Sequence, residues 1–218
     1  NGLWITLRVA FFAVILGIII GVCISMIRSS FDKNRESMQR RKTLGYYILY
    51  ILNVISKIYL AVIRGTPVVV QLMIAYFIIF ASSNNGVLVA ILAFGINSGA
   101  YVAEILRGGI MSIDAGQFEA GRSLGFNYFQ TMIHIIIPQV FKTVLPTLLN
   151  EFIVLLKETS VSGYVGLKDL TKGGDIIRGR TFSAFMPLIA VALIYLTIVL
   201  ILTYAVGRLE RRLRKSER

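Results

Sequence analysis

From Leu3 to Ile27 the chain carries a single charged residue, Arg8, in an otherwise largely apolar run. A run of that length has one stable home. As a helix it crosses the roughly 30 Å hydrocarbon core of a bilayer, which takes about 20 residues. Lipid offers no partner for free backbone N–H and C=O groups, so the run must close its hydrogen bonds within itself. It is too long for a secretory signal and is followed by a basic stretch, so it reads as a membrane anchor.

Composition extends this reading to the rest of the chain. Hydrophobic residues make up 56% and charged residues 16%, and the mean hydropathy is +0.75. A soluble domain needs more polar surface than that. A net charge of +12 alone would suit nucleic acid, but its distribution points elsewhere. Six of the 23 basic residues fall between Arg28 and Lys42, and six more between Arg208 and Arg218, each cluster beside a long apolar segment. Basic clusters mark the cytoplasmic flanks of membrane spans. Lipid is therefore the expected neighbour, and nucleic acid is not. With one cysteine (Cys23) and one histidine (His134), the chain offers neither an internal disulfide nor a Cys/His metal site.

Apolar segments near 3–27, 67–83, 86–106, 132–157 and 184–207 predict an all-α integral membrane domain over 1–218 with about five transmembrane helices. The polar stretch 28–42 is expected to be the first loop. Leu44 to Ser83 is interrupted at Gly65-Thr66-Pro67, where Pro67 removes a donor and disfavours helix at the residue before it. The two basic clusters share the cytoplasmic side, so an even number of crossings separates them. The stretch 44–83 then crosses once. Tyr46, Tyr47, Tyr50, Lys57, Tyr59 and Arg64 suit an interfacial helix over 44–64, leaving the crossing to 67–83. A single kinked helix gives the same parity. The N-terminus is expected outside and the C-terminus in the cytoplasm of a bacterial inner membrane. Gly17-x-x-x-Gly21 permits close approach of another helix.

The segment 107–131 becomes a cytoplasmic loop. Within it, Asp114 to Gly125 reads as a short helix, with Asp114 at the N-cap, Gln117 three residues on as the capping-box partner, and Gly125 as the C-terminal stop. Ala120 and Gly121 keep one face narrow. Three turns are marginal alone, which suits insertion into a cleft on another protein; a connector helix on the membrane is the plainer alternative.

Glu119-Ala120-Gly121, then Gly125, then Ile135-x-Ile137-Pro138 resembles the EAA loop of ABC importer permeases, with Gly121 and Ile137 standing where the family has Ala and Leu. Gly2-Leu3-x-x-Thr6-Leu7, Arg64-Gly65-Thr66-Pro67 with Gln71, Ala100-Tyr101-x-x-Glu104-x-x-Arg107-Gly108-Gly109 and Lys157-Glu158-Thr159-Ser160 resemble the branch that handles histidine, glutamine, glutamate and arginine. The resemblance implies a type I importer permease fold with a cytoplasmic coupling helix. It implies a second permease subunit, expected to be another copy, a cytoplasmic ATPase that holds ATP and magnesium, and an extracellular solute-binding protein. On that reading Asp114, Phe118, Glu119, Ala120, Gly121, Arg122 and Gly125 serve the ATPase contact, with Glu119 as anchor and Phe118 filling a pocket. No phosphate-binding G-x-x-x-x-G-K-[ST] loop is present, and the chain is expected to carry no cofactor and no catalytic residue of its own.

Ionisable groups inside spans are functional candidates by default. Glu151, beside Asn150, is placed to hold the cationic end of arginine, lysine or histidine; a structural pair with a lysine, or a neutral, protonated glutamic acid, is the competing reading. Glu158 and Asp169 add acceptors if the outer segment dips inward, and Asn97 and Tyr101 either line a polar path or bond between helices. Glutamine or glutamate import by the same architecture, and an ATP-independent channel or secondary transporter, are the rival functions.

Overall fold

The computed structural model describes residues 1–41 and 44–215, with side chains described for 1–33 and 44–213. The helices in order are α1 (Gly2–Arg41), α2 (Leu44–Gly65), α3 (Val68–Ile74, prolonged by a wide π turn over Ala75–Ile79), α4 (Gly86–Met111), α5 (Ala115–Ser123), α6 (Tyr128–Thr131), α7 (Ile137–Glu158), α8 (Leu170–Thr181) and α9 (Phe185–Lys215). A π turn over Met132–Ile136 joins α6 to α7, and a 3₁₀ turn over Thr159–Val165 follows α7. Among the described residues, five helical segments are long and apolar enough to cross a membrane: Gly2–Lys33, Leu44–Gly65, Gly86–Met111, Tyr128–Val165 and Phe185–Leu213.

Two expectations need correction. The stretch after Arg28 is not a loop, because α1 continues unbroken to Arg41. From Arg28 to Arg41 there is no glycine or proline, and Arg, Lys, Glu, Gln and Met are good helix formers. Lys42, counted in that expected loop, and Arg218 lie outside the described residues. Second, the crossing does not belong to 67–83 alone. Its helix has seven α-helical residues and five in the π turn, a rise of about 18 Å against the roughly 30 Å core. Length and composition place α2 among the spans instead. The end of α2 also leaves the interface: the Tyr59 hydroxyl donates to the Ile96 carbonyl at 2.6 Å, and Leu60 packs on Ala100 and Ala103. These partners lie midway along α4.

α4 is the axis of the subunit. Of its most apolar stretch 61% is buried, against 6% for α9. α1 runs parallel to it along a seam of small residues. Gly17 faces Ser98 and Gly99, Gly21 faces Val102 and Ala103, and Gly95 takes the side chain of Leu16. A Cβ at Gly17 would stand 2.9 Å from the Ser98 hydroxyl, so the Gly17-x-x-x-Gly21 pair is used inside the subunit. Above this seam Phe94, fully buried, centres a core with Val9, Ala13, Leu72, Ala90 and Leu155, which gathers α1, α3, α4 and α7.

The break between α2 and α3 is closed by one side chain. Gln71 Nε2 donates to the Ile63 carbonyl (2.7 Å) and the Thr66 carbonyl (3.0 Å). Its Oε1 accepts from Asn97 Nδ2 on α4 at 2.9 Å. A proline-broken helix in a membrane needs such replacements for its freed carbonyls. The Gln71 in the sequence pattern is thereby accounted for.

Candidate coupling and substrate sites

The expected coupling helix is α5. Asp114 caps it, but through the Gly116 N–H at 2.6 Å, and Gln117 does not close the box. Its side-chain oxygen instead accepts from Gln139 at 3.2 Å, tying α5 to α7. A complete capping box stands one helix later, between Asn127 and Gln130, and the Asn-x-x-Gln spacing there was readable in the sequence. Gly125 ends α5 in the left-handed region at φ 78°. The Phe126 N–H reaches the Gly121 carbonyl at 3.0 Å and the Gly125 N–H the Arg122 carbonyl at 2.9 Å, the two bonds of a Schellman stop.

The face of α5 divides sharply. Glu119, Ala120 and Arg122 are exposed, whereas Gly121 is buried. A Cβ at Gly121 would lie 2.6 Å from both Oγ1 and Cγ2 of Thr131. Glycine stands in place of the family's alanine because α5 rests directly on that threonine. Phe118 is half-buried. It packs on the cluster of Ile110, Ile136, Val140 and Val144, and Lys33 Nζ lies 3.1 Å from its ring centroid, a cation–π contact. Glu119 and Arg122 line, with Lys33, Phe118, Tyr128 and Thr131, a cavity of about 620 Å³ between α5 and the extension of α1.

That extension, which sequence reasoning missed, holds the whole coupling segment. Arg28 Nη1 meets Glu104 Oε1 at 2.5 Å, Arg107 meets Glu104 at 3.5 Å and Asp32 at 3.6 Å. The Ser30 side chain and the Tyr128 hydroxyl are hydrogen-bonded. Successive turns of α1 therefore grip α4, α5 and α6.

Among the proposed substrate residues, Glu151 is half-buried on α7 and accepts from the Ser98 hydroxyl at 3.1 Å. No lysine or arginine pairs with it among the described residues. Asn150, its neighbour, points elsewhere. It is exposed and lines a separate cavity of about 350 Å³ with Lys142, Thr143, Thr147 and Glu210. Thr143, Thr147, Asn150 and Lys157 are all exposed and recur at helical spacing, so α7 shows a polar stripe that is ill suited to lipid. Glu158 lies two turns beyond Glu151 at the end of α7, half-buried. Asn97 is committed to Gln71. Tyr101 is partly exposed and lies beneath the Arg64 guanidinium, 5.7 Å from ring centroid to carbon.

Asp169 is not gathered into this group. It is 1% exposed and caps α8, accepting from the Lys172 and Thr171 N–H groups at 3.0 and 3.1 Å. Burial pushes its carboxyl above the usual 3.8, and the two backbone bonds pull it part of the way back. The Gly2 and Thr6 of the opening pattern meet it there. Gly2 abuts the Asp169 carbonyl, and Thr6 Oγ1 accepts from the Leu170 N–H at 3.1 Å.

Residues 43–215 match the family model described as "binding-protein-dependent transport system inner membrane component". The chain is 36% identical over its whole length to the arginine transport system permease protein of Bacillus subtilis (strain 168), covering 93% of that protein. It is 39% identical over 169 residues to the glutamine transport system permease protein of Escherichia coli (strain K12), a match covering 76% of this chain and 77% of that one. A solved amino acid ABC transporter, crystallised with histidines, superimposes with a TM-score of 0.82 at 37% identity over 97% of this chain and 92% of that one. A methionine ABC transporter in an inward-facing conformation shares the fold, with a TM-score of 0.77 at 19% identity over 97% of this chain and 94% of that one. The five apolar helices, the capped α5 and these matches have one reading: the chain belongs to the family of inner-membrane permease components of binding-protein-dependent ABC importers.

Proposed function

We propose that this chain carries an amino acid with a cationic side chain, arginine, lysine or histidine, across the cytoplasmic membrane by alternating access. The observation that carries the proposal is Glu151. A carboxylate inside an apolar span is costly unless something offsets its charge. Here its hydrogen bond comes from a neutral hydroxyl, and no cation of the chain faces it among the described residues. A transported guanidinium or ammonium would supply the missing charge through charge-assisted bonds. The arginine permease among the relatives agrees with this reading; the glutamine permease supports a second one, in which Glu151 accepts from a neutral amide.

The drive comes from a separate ATPase, which binds ATP and magnesium and receives the exposed face of α5 with Glu119 and Arg122. A second permease copy completes the path, with the polar stripe of α7 facing it, and an external binding protein delivers the substrate. The N-terminus lies outside and the C-terminus, with its basic tail, inside. Binding of arginine, lysine, histidine, glutamine and glutamate to the purified permease–ATPase complex, without binding protein, tests the substrate class. Preference for the basic three, lost in Glu151→Gln, is the expected result. Tighter binding of glutamine than of the basic three by wild type, or a preference for the basic three that Glu151→Gln leaves undiminished, would overturn it.

A further inference from the structure

We infer that Arg64, seated over Tyr101 at the break between α2 and α3, is the subsite for the α-carboxylate of the transported amino acid; the inference rests on the substrate reading above. Several observations converge. Arg64 belongs to the last turn of α2, and the contacts of Tyr59 with Ile96 and of Leu60 with Ala100 place that turn beside the middle of α4. The α1–α4 seam puts the same part of α4, Gly95 to Gly99, opposite Leu16 to Ile20, the middle of the first apolar run. An arginine at that depth does not face lipid without large cost.

Arg64 is exposed and pairs with no carboxylate among the described residues. Its guanidinium lies over the Tyr101 ring, and no carboxylate among the described residues occupies its fork of donors. Such a fork matches a carboxylate with two parallel bonds. The backbone just beyond it, Thr66 and Pro67, is exposed and non-helical. Irregular backbone at membrane depth is tolerated where it lines a watery cavity, and broken helices near the midplane are where transporters hold small ions and substrates.

The position of Arg64 is also not left to chance. Asn97 holds Gln71, and Gln71 holds the carbonyls of Ile63 and Thr66 on either side of Arg64 and Gly65. The next residue of α4, Ser98, holds Glu151. Consecutive residues of α4 thus anchor the backbone break that carries Arg64 and the carboxylate of Glu151. An amino acid has the complementary charges: a carboxylate for Arg64, and a cationic group for Glu151.

The test compares each amino acid with the same molecule lacking its carboxylate. Binding of arginine and of agmatine to the purified permease–ATPase complex would be measured for wild type, Arg64→Gln, Arg64→Lys and Glu151→Gln. Wild type should prefer arginine by about tenfold or more, the scale of a charge-assisted pair. Arg64→Gln should bring arginine down to the level of agmatine and leave agmatine unchanged. Arg64→Lys, which keeps the charge and loses the fork, should fall between and guards against an effect of misassembly. Undiminished preference in Arg64→Gln, or equal weakening of both ligands, overturns the subsite. If the complex takes glutamine instead, the pair glutamine and 4-aminobutanamide gives the same readout. The basic-substrate reading then falls while the carboxylate subsite stands or falls on its own.

Discussion

The Ser98 hydroxyl donates to Glu151 across the α4–α7 contact at 3.1 Å, so this acid within an apolar helix is oriented by a neutral partner. Removing its charge should cost cationic ligands a charge-assisted bond, about 1.5–3 kcal/mol or roughly 10–100-fold in affinity. Calorimetric titration of arginine into the Glu151→Gln complex measures it. Ser98→Ala should weaken binding less, because it disturbs the orientation of the carboxylate and leaves its charge. A larger loss in Ser98→Ala than in Glu151→Gln would place the ligand at the hydroxyl.

Gly121 on Thr131 makes a steric prediction. Gly121→Ala forces a methyl to within 2.6 Å of Thr131 Oγ1 and Cγ2, an overpacking that typically costs about 1–3 kcal/mol. Thermal unfolding should drop accordingly, and uptake with it if α5 tilts off its seat. Thr131→Ala removes both clashing atoms, so the double variant should recover most of the loss in melting temperature. Glu119→Ala is expected to behave differently: normal insertion and melting, with loss of ATPase co-purification. Full uptake by Glu119→Ala would sink the coupling assignment for that residue.

What the sequence disclosed, and what it withheld, follows from which forces act locally. The caps at Asp114 and Gly125 and the small faces of Gly17 and Gly21 depend on a few neighbouring residues, so spacing revealed them. The contacts of Phe118 with Lys33 and Val140 join residues far apart in the chain, and spacing along one helix does not disclose them. Arg64 was read as an interfacial cation because a basic residue after tyrosines looks like a membrane edge. Its depth is decided by the register of α2 on α4, through Tyr59 and Leu60. The extension of α1 was within reach of the sequence: charge was weighed as loop, while the absence of glycine and proline from 28–41 argued for helix. Asp169 looked like a free acceptor because nothing in the sequence shows that Thr6 and Gly2 bury it.

Arg28 and Glu104 form the tightest cross-helix ion pair among the described residues outside α8, with side chains 15% and 25% exposed. Removing Glu104 leaves the partly buried Arg28 charge without this partner, and removing Arg28 leaves Glu104 only its longer contact to Arg107; an uncompensated charge costs more than losing the pair itself. Arg28→Met or Glu104→Leu alone should each destabilise the subunit by about 1–3 kcal/mol. The double variant should be less damaged than the sum of the two singles. Melting of the four proteins in a double-mutant cycle gives the coupling. Strict additivity would mean that the α1 extension is held by Ser30 and Lys33 instead.

Asp169 gives the prediction with a pH sign. Burial holds its carboxyl above the ordinary 3.8, so the folded protein binds this proton more tightly than the unfolded chain. The resulting stabilisation is complete below pH 3.8 and is lost as pH climbs through the raised value. At neutral pH the carboxylate remains buried as an N-cap, held by the Lys172 and Thr171 N–H groups. Asparagine caps helices about as well as aspartate and carries no charge to desolvate. Asp169→Asn should therefore melt with wild type at low pH and above it at neutral pH, with the gap opening from about pH 4 upward. Asp169→Ala, which loses the cap at every pH, should fall below Asp169→Asn throughout, by about 0.5–2 kcal/mol. A parallel pH profile for wild type and Asp169→Asn would show that the burial of this carboxyl places no charge penalty on the fold.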